Sequence, residues 1–512
     1  MKKLCLTVAI AVFWVIFSNG VQAQTLHTII TDNVKPCMEC KELINLDLPD
    51  LRITEAELTG TKIKYCRVRG IIGSEIKFEL RLPESWNSRF VMGGGGGFVG
   101  SIQNQAQPAL RVNQGYAIVG TDTGHEGTNI DGTWALNNIE RQVNFGFLAV
   151  HRTAVMSKAI VAHYYRSKPQ YSYFIGCSRG GGQALMEAQR YPDDFNGIVC
   201  SGPVIDWAGI SLECIDNYKA QFPVGSKEGD GVLTLEKTKL LQKIVMDKYD
   251  GLDGVKDNII NDPGEFTLDY TVFPVCTMEL PTDDCFTKDQ IKVIKTFYEG
   301  VSINNSGIYP GFPLGSESGW YLPHLMTDTS ALKFGQKTWF GAFGSQFFRY
   351  FVFNDPDWNL YDYDFSNIFR DTKYAASFLN TTSTDYREFK KNGGKMIINQ
   401  GWADFSATPL KTIQYYNDIK QADSEVEDYI RLFLLPGGGH CGMFDVGPTS
   451  TDWLEYLRDW VENGNPPEKV LVTKSENNKV VMTRPVFPYP SKAVYDGKGD
   501  PNDATSFTEG RK

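Results

Sequence analysis

The stretch Phe174-Ile-Gly-Cys-Ser-Arg-Gly-Gly-Gly182 follows the apolar run Tyr171 to Ile175 and precedes a helix-like run, Gln183 to Arg190. A strand, a tight glycine turn and a helix, in that order, make the setting of a nucleophile elbow. Gly176-Cys-Ser178-Arg-Gly180 fits G-x-S-x-G. Such a turn holds Ser178 in a strained backbone conformation with its hydroxyl exposed, and the flanking glycines remove side chains that would clash there. The amide of Arg179 then points to where an oxyanion would form. The competing reading is a glycine-rich turn whose serine only caps the helix.

Working outward, the remaining catalytic groups appear at strand ends. Arg89 to Met92 is a short apolar strand that runs into five glycines, Gly93 to Gly97, a loop whose amides can approach a ligand closely and supply a second oxyanion donor. Met396 to Asn399 is an apolar strand followed by Asp404. Ile430 to Leu435 is another, followed by Pro436-Gly-Gly-Gly-His440-Cys441. The order Ser178, Asp404, His440 is that of the α/β-hydrolase fold. A serine hydroxyl is a poor nucleophile near neutral pH, so His440 takes its proton and later protonates the leaving group, while Asp404 fixes the imidazole tautomer. His125 precedes the nucleophile in the chain and reads as a structural histidine near the site. His151 and His163, on a helix over Phe145 to Tyr165, read as packing or surface residues.

Cys177 precedes the nucleophile and Cys441 follows the base. If Ser178 and His440 touch, these neighbours are close enough to bond, and a Cys177–Cys441 disulfide would tie the histidine loop to the elbow. The alternative is two unconnected buried thiols.

The whole chain has 512 residues, 42% apolar and 22% charged, and a formal net charge of −10. That balance, with no basic cluster, argues against nucleic acid and anionic membranes as partners. Lys2, Lys3, the apolar run Leu4 to Phe17 and Val21-Gln22-Ala23 read as a signal peptide over residues 1–23, which implies export to the periplasm or beyond. No other stretch reads as long enough to span a bilayer. Ten cysteines suit an oxidising compartment. Cys5 leaves with the signal, and the odd number remaining requires a free thiol or an intermolecular bond. Cys200, in an apolar strand, is the favoured free thiol. Cys40 and Cys66 would suit one disulfide, and Cys276 and Cys285 could close a small loop. The sequence leaves the partners of Cys37, Cys200 and Cys214 open.

Ile76 to Leu82, Tyr116 to Val119 and Asn196 to Cys200 read as further strands, and Thr451 to Gly464 as a closing helix. From about Trp207 to Asn380 the strand–helix alternation stops and aromatics and turns take over. The reading is an α/β fold: a catalytic domain from residues 24–206 and 381–512, and an inserted lid domain over 207–380. Phe343 to Phe353 reads as the lid's own core, with one or two rings free to meet a substrate. The lid also carries Asp250, Asp253 and Asp257 separated by glycines, a pattern that suits a calcium ion or a solvated Asp/Gly turn equally well.

Together these residues resemble the tannase and feruloyl esterase family, whose hallmark is a Cys-Ser, Asp, His-Cys set, here Cys177-Ser178, Asp404 and His440-Cys441. The likeness extends through Trp86-Asn-Ser-Arg-Phe, Thr121-Asp-Thr-Gly-His, Asp253-Gly-Val-Lys-Asp, Gly394-Lys-Met-Ile and Thr483-Arg-Pro-Val-Phe-Pro-Tyr-Pro490. The resemblance implies an α/β-hydrolase core with a large lid and a structural calcium held by the side chains of Asp250, Asp253 and Asp257 and the carbonyls of Val255 and Ile259. It implies oxyanion donors at the amides of Gly97 and Arg179, and it supports the Cys40–Cys66 and Cys276–Cys285 bridges. One departure is Tyr249, where some members carry a cysteine before the first calcium aspartate.

The resemblance also implies an esterase acting on aromatic acyl groups: feruloyl and other hydroxycinnamoyl esters, galloyl esters or, in one relative, mono(2-hydroxyethyl) terephthalate. A lid arginine grips the terephthalate carboxylate in that relative. Lys337 to Gly341 offers none here, with Arg349 or Lys337 as the available substitutes. Family breadth favours ferulate-type esters, free or linked to plant polysaccharide. The competing classes are a serine peptidase with the same triad and a catalytically dead binding protein. The intact triad weighs against the second.

Overall fold

The computed structural model describes residues 33–61, 63–227, 231–277 and 283–510. The segment 1–23 read as a signal peptide lies outside the described residues. A nine-stranded sheet runs through the molecule. Its strands are β1 (Leu51–Thr59), β2 (Tyr65–Ile72), β3 (Ile76–Pro83), β4 (Arg89–Gly93), β5 (Ala117–Thr121), β6 (Tyr171–Cys177) and β7 (Gly197–Ser201). After a separate hairpin of β8 (Val301–Ile303) and β9 (Ser306–Tyr309) come β10 (Lys395–Gly401) and β11 (Ile430–Leu435). The order is β1-β2-β3-β5-β4-β6-β7-β10-β11. The first pairs are antiparallel, and every pair from β5/β4 to β10/β11 is parallel.

The residue patterns explain this division. β2 and β3 alternate half-buried charged residues with buried Val68, Ile72, Phe78 and Leu80, as strands with one wet face do. β7, β10 and β11 are buried almost throughout because helices cover both of their faces. On one face lie the helices Ala149–Tyr165, Arg179–Arg190 and Pro409–Ala422. On the other lies Trp453–Asn463, packing Leu454, Leu457 and Trp460 inward. Asp452 caps that last helix, its Oδ1 accepting the Leu454 amide at 3.2 Å.

Between β7 and β10 the chain leaves the sheet for residues 207–380. The described residues of this segment form helices joined by loops, with the β8/β9 hairpin. Its apolar side chains pack into two clusters that, contrary to the expectation of a core of its own, are not self-contained: one is shared with Phe98, Trp134 and Phe145 and the other with Phe405. Phe347, Phe348 and Phe351 are buried in one of them.

Several boundaries differ from the sequence reading. β1 and β2 were not read from the sequence. The elbow helix starts at Arg179 rather than Gln183, because glycines at a helix start cost little where the backbone is already fixed by packing. Ile139–Tyr165 forms one helical run with a wide turn at Asn144–Leu148. It is long and apolar enough to cross a membrane by length and composition, contrary to the expectation that no stretch beyond the first was. Here half of its most apolar window is buried, with Ala149, Ala154, Ile160 and Val161 in the core. The C-terminal hairpin of β12 (Val470–Glu476) and β13 (Lys479–Val486), and the pair β14 (Lys492–Tyr495) and β15 (Phe507–Gly510), were not read from the sequence.

Candidate active site

β6 ends at Cys177, and Ser178 follows with φ 62° and ψ −121°. A non-glycine residue held there stores strain, and the turn around it over-determines the conformation. The Ser178 amide donates to Ser201 O at 3.0 Å, and its carbonyl accepts from Gly182 and Val204. A Cβ on Gly176 would lie 2.1 Å from Gly180 O, and one on Gly180 would lie 2.1 Å from Gln105 Oε1. Both glycines of the motif are therefore required by close backbone and side-chain approach. Gln105 also clamps the elbow, accepting the Cys177 amide at 2.8 Å and donating to the Cys177 carbonyl at 3.2 Å.

Asp404 and His440 meet at the ends of β10 and β11. His440 Nδ1 lies 2.9 Å from Asp404 Oδ2 and 3.1 Å from Oδ1. The carboxylate is fully buried and accepts from the Ser406 amide (2.8 Å), the Ala407 amide (3.0 Å) and Gln400 Nε2 (2.9 Å). Those donors hold the charge that an imidazolium needs opposite it. With Nδ1–H given to Asp404, Nε2 is the lone-pair nitrogen. The three elements converge on Gly202. A Cβ there would lie 3.3 Å from Asp404 Oδ2, 3.6 Å from Cys177 Sγ and 3.8 Å from His440 Nδ1.

The Cys177–Cys441 bridge is present, as are Cys40–Cys66 and Cys276–Cys285. The first has a Cα–Cα distance of 6.0 Å and spans 264 residues. Cys441 itself sits at φ 53°. The free thiols among the described residues are Cys200 and Cys214, both buried.

Ser178 and His440 line one cavity of about 400 Å³, together with Gly97 and Arg179. Gly97 sits at φ +57°, and a Cβ there would meet Asn129 O at 2.1 Å. The amides of Gly94, Gly95, Gly96 and Phe98 all donate within the protein. No acceptor engages the Gly97 amide among the described residues. The Arg179 amide opens a helix and so also lacks an intrahelical acceptor. Two free N–H groups in the wall of the serine's cavity can receive an oxyanion. A larger cavity of about 560 Å³ borders the Cys177–Cys441 bridge, but neither Ser178 nor His440 lines it, so the chemistry belongs to the smaller one.

The rest of the wall is mostly apolar, with Gln105, Asn129, Ser211 and Ser406 as its polar side chains. The 207–380 segment supplies Trp207, Leu322, Trp339, Phe340 and Phe343, and the histidine loop supplies Phe444. Among the described residues, the one lysine or arginine in this wall is Arg179. Its guanidinium is fully buried: Nη2 donates to the carbonyls of Phe145 (2.5 Å) and Gly146 (2.7 Å), Nε and Nη1 have no hydrogen-bond partner among the described residues, and the group lies 4.6 Å from the Phe145 ring centroid. Burial lowers its pKa to about 9. Lys337 donates to the carbonyls of Ser226 and Lys227, and Arg349 to those of Trp358 and Phe334. Neither lines the cavity. His125 is buried against Trp134 with Nε2 2.8 Å from Phe98 O, bracing the oxyanion loop from behind. The sequence reading missed Gln105, Trp339 and Phe340. Phe340 lies three residues before Phe343, and that helical spacing was the available signal.

The acidic loop follows the helix Leu235–Tyr249. Asp250 Oδ1 accepts the amides of Asp257 (3.3 Å) and Ile259 (3.2 Å), and Asp253 accepts those of Val255 (3.2 Å) and Asn261 (2.8 Å). Asp257 Oδ2 pairs with the buried Arg484 at 2.7 Å, a contact that joins the loop to β13. Asp250 and Asp253 have no ion-pair partner among the described residues. Burial, with the neighbouring carboxylates, raises the Asp250 carboxyl and pushes Asp253 up to about 6. Three carboxylates with one cation between them leave an unbalanced negative charge. The side chains of Asp250, Asp253 and Asp257 with the carbonyls of Val255 and Ile259 are an oxygen donor set suited to calcium.

Comparison with known proteins adds to this geometry. The family model "Tannase and feruloyl esterase" matches residues 59–509. The chain is 26% identical to a probable feruloyl esterase B-2 of Aspergillus terreus, over 96% of this chain and 91% of that protein. It is 28% identical to the mono(2-hydroxyethyl) terephthalate hydrolase of Piscinibacter sakaiensis, over 87% of this chain and 84% of that protein. The crystal structure of an esterase from Aspergillus oryzae superposes with a TM-score of 0.81 at 25% identity, covering 92% of this chain and 99% of the other.

Proposed function

Because the chain belongs to the tannase and feruloyl esterase family and is a carboxylic ester hydrolase, we propose that it cleaves esters of neutral aromatic acids, hydroxycinnamoyl esters before galloyl ones, through an acyl-enzyme on Ser178. The observation that carries this reading is the mostly apolar, aromatic wall around Ser178 and His440, whose one lysine or arginine among the described residues, Arg179, is fully buried with Nη2 held by backbone carbonyls. A feruloyl ring buries well there. A gallate brings three hydroxyls to a wall with few polar partners, and unpaired buried hydroxyls cost about 1–3 kcal/mol each.

In the proposed reaction His440 Nε2 takes the Ser178 proton as Oγ attacks the ester carbonyl. The developing oxyanion accepts from the Gly97 and Arg179 amides. The imidazolium, stabilised by Asp404, protonates the leaving alkoxide. Water then enters and attacks the acyl carbonyl as His440 Nε2 takes its proton; the tetrahedral adduct collapses, breaking the Ser178 Oγ–acyl bond, and His440 returns the proton to Oγ as the acid leaves.

A terephthalate monoester would bury a carboxylate with no cation opposite it, a penalty of several kcal/mol. Lys337 and Arg349 are tied to backbone carbonyls and do not relieve it. The test is kcat/KM for methyl ferulate, methyl gallate, mono(2-hydroxyethyl) terephthalate and an anilide. The expected order places methyl ferulate first and the terephthalate monoester at least about 100-fold lower. A preference for the charged ester, or for the anilide, would overturn the assignment.

Two further features belong to this reading. Residues 1–23 direct export, with which three disulfides agree. The loop at residues 250–259 holds a structural calcium that offsets its carboxylates and orders the 207–380 segment, which serves as a lid over the acyl site. Calcium supplies charge balance there and takes no part in bond making.

A further inference from the structure

On the sheet face carrying the elbow helix, a second group of ligand-type side chains converges outside the catalytic site. His151 comes from the helix Ala149–Tyr165, Glu187 from the helix Arg179–Arg190, and Asp194 from the turn that follows. One ligand atom from each lies within 4.8 Å of those of the other two. His151 Nδ1 is 2.6 Å from Asp194 Oδ2, and the imidazole lies flat on the Tyr191 ring, with centroids 3.7 Å apart and planes 7° apart.

Glu187 is the unexplained member. It is 1% exposed, and neither of its carboxylate oxygens meets an N–H or hydroxyl donor among the described residues; its one side-chain hydrogen-bond neighbour is the Asp194 carboxyl, itself an acceptor when ionised. Burial, then the facing Asp194, holds its carboxyl well above the usual range. The other charge at hand is Lys158. Its Nζ lies 3.7 Å from Asp194 Oδ1, donates to the Asp194 carbonyl and sits 4.8 Å from the Phe195 ring centroid, with no hydrogen bond to Glu187. Two carboxylates thus face each other while the lysine engages only one of them. A buried arrangement of this kind is stable only with a cation between its oxygens or with one carboxyl protonated.

We propose that His151, Glu187 and Asp194 hold a divalent transition-metal cation, zinc by donor preference, at a site separate from the acidic loop at residues 250–259. An imidazole nitrogen with two carboxylate oxygens suits zinc and its neighbours, whereas calcium and magnesium prefer all-oxygen sites. Ligand atoms on a zinc ion sit about 3 to 3.5 Å apart, so a shift of under about 1 Å between His151 and Asp194 admits the ion. Water completes the coordination on the side of His151, whose side chain is 28% exposed. Glu187 stands on the helix that Ser178 opens, so the ion pins the nucleophile helix to its neighbour.

The test uses the full exported chain, stripped with chelator, returned to millimolar calcium to fill the acidic loop, and titrated with zinc. The proposal expects one zinc per chain by calorimetry and elemental analysis, a rise in Tm of several degrees, and cobalt(II) visible bands that report a nitrogen ligand. His151→Gln and Glu187→Gln should each lose at least tenfold in zinc affinity and lose the Tm rise. His151→Gln changes a partly exposed side chain, so it reports even if Glu187→Gln fails to fold. Equal zinc binding by the wild type and His151→Gln would overturn the proposal. So would an absence of stoichiometric zinc in the wild type, which would mean that a proton shared by Glu187 and Asp194 fills the gap.

Discussion

Removing the Cys177–Cys441 bridge should cost catalysis more visibly than stability. The perturbation is the double variant Cys177→Ala/Cys441→Ala. The bridge closes a span of 264 residues, for which chain entropy alone gives about 5–6 kcal/mol; native strain and residual unfolded structure reduce this to roughly 2–4. For a chain of this size that is a fall in Tm of about 2–4 °C. Catalysis is more exposed. Cys441 adjoins the base and sits at φ 53°, a conformation costing about 1–2 kcal/mol that the bridge helps to hold. Freed, the residue relaxes and carries His440 with it. A drift of about 1 Å in a catalytic group can cost about 100-fold. The Asp404 hydrogen bonds restrain the imidazole, so the expected fall in kcat is about 10- to 100-fold, with KM within about twofold because the aromatic wall is untouched. The assay is initial rates on an aryl ester at 25 °C, with calorimetry in parallel. A double variant that loses Tm but keeps kcat within twofold would refute the reasoning and leave the bridge as a chain staple only.

Gly97→Ala places a methyl 2.1 Å from Asn129 O at a positive φ, so the oxyanion loop must shift; kcat should fall about 100- to 1,000-fold at near-constant KM, and unchanged kcat would remove Gly97 from the oxyanion hole. Chelation should lower Tm while leaving the 25 °C rate nearly intact, and Asp253→Asn should abolish the chelator effect; a wild-type Tm indifferent to chelator would contradict the calcium reading. His125 and His324 are buried neutral, each hydrogen-bonded to a backbone carbonyl at 2.8 Å and lowered to about 4, chiefly by burial. The folded state therefore binds fewer protons than the unfolded state between about pH 6.5 and 4. Stability should fall as pH drops through that window, by up to about 1.4 kcal/mol per pH unit per histidine. Urea melts across the window check this, and His324→Phe should flatten the slope if the chain still folds; a flat wild-type profile would count against it.

What the sequence displayed was whatever depends on neighbours along the chain. The elbow is local: strand, G-x-S-x-G and helix are contiguous, so Ser178 and its strained turn could be read directly. Asp404 and His440 follow apolar strands closely enough to be found, and the cysteines beside Ser178 and His440 linked two distant loops. Contacts made across the fold left no local trace. Gln105 clamps Cys177 from 72 residues away, and Arg484 reaches Asp257 from 227 residues away. β1 escaped because it is a charged edge strand with a bulge at Ile53/Glu55, where Glu55 and Glu57 pair with Arg67 instead of alternating with apolar residues. The tie-down of Lys337 and Arg349 could not be inferred either, since a lysine or arginine in sequence looks the same whether it greets a substrate or a backbone carbonyl.

The most direct measurement is rapid-quench mass spectrometry of the protein mixed with an activated feruloyl ester. The account predicts a transient feruloyl adduct on the peptide containing Ser178, absent in Ser178→Ala and formed far more slowly in His440→Ala. An adduct on another residue, or turnover undiminished in Ser178→Ala, would contradict it.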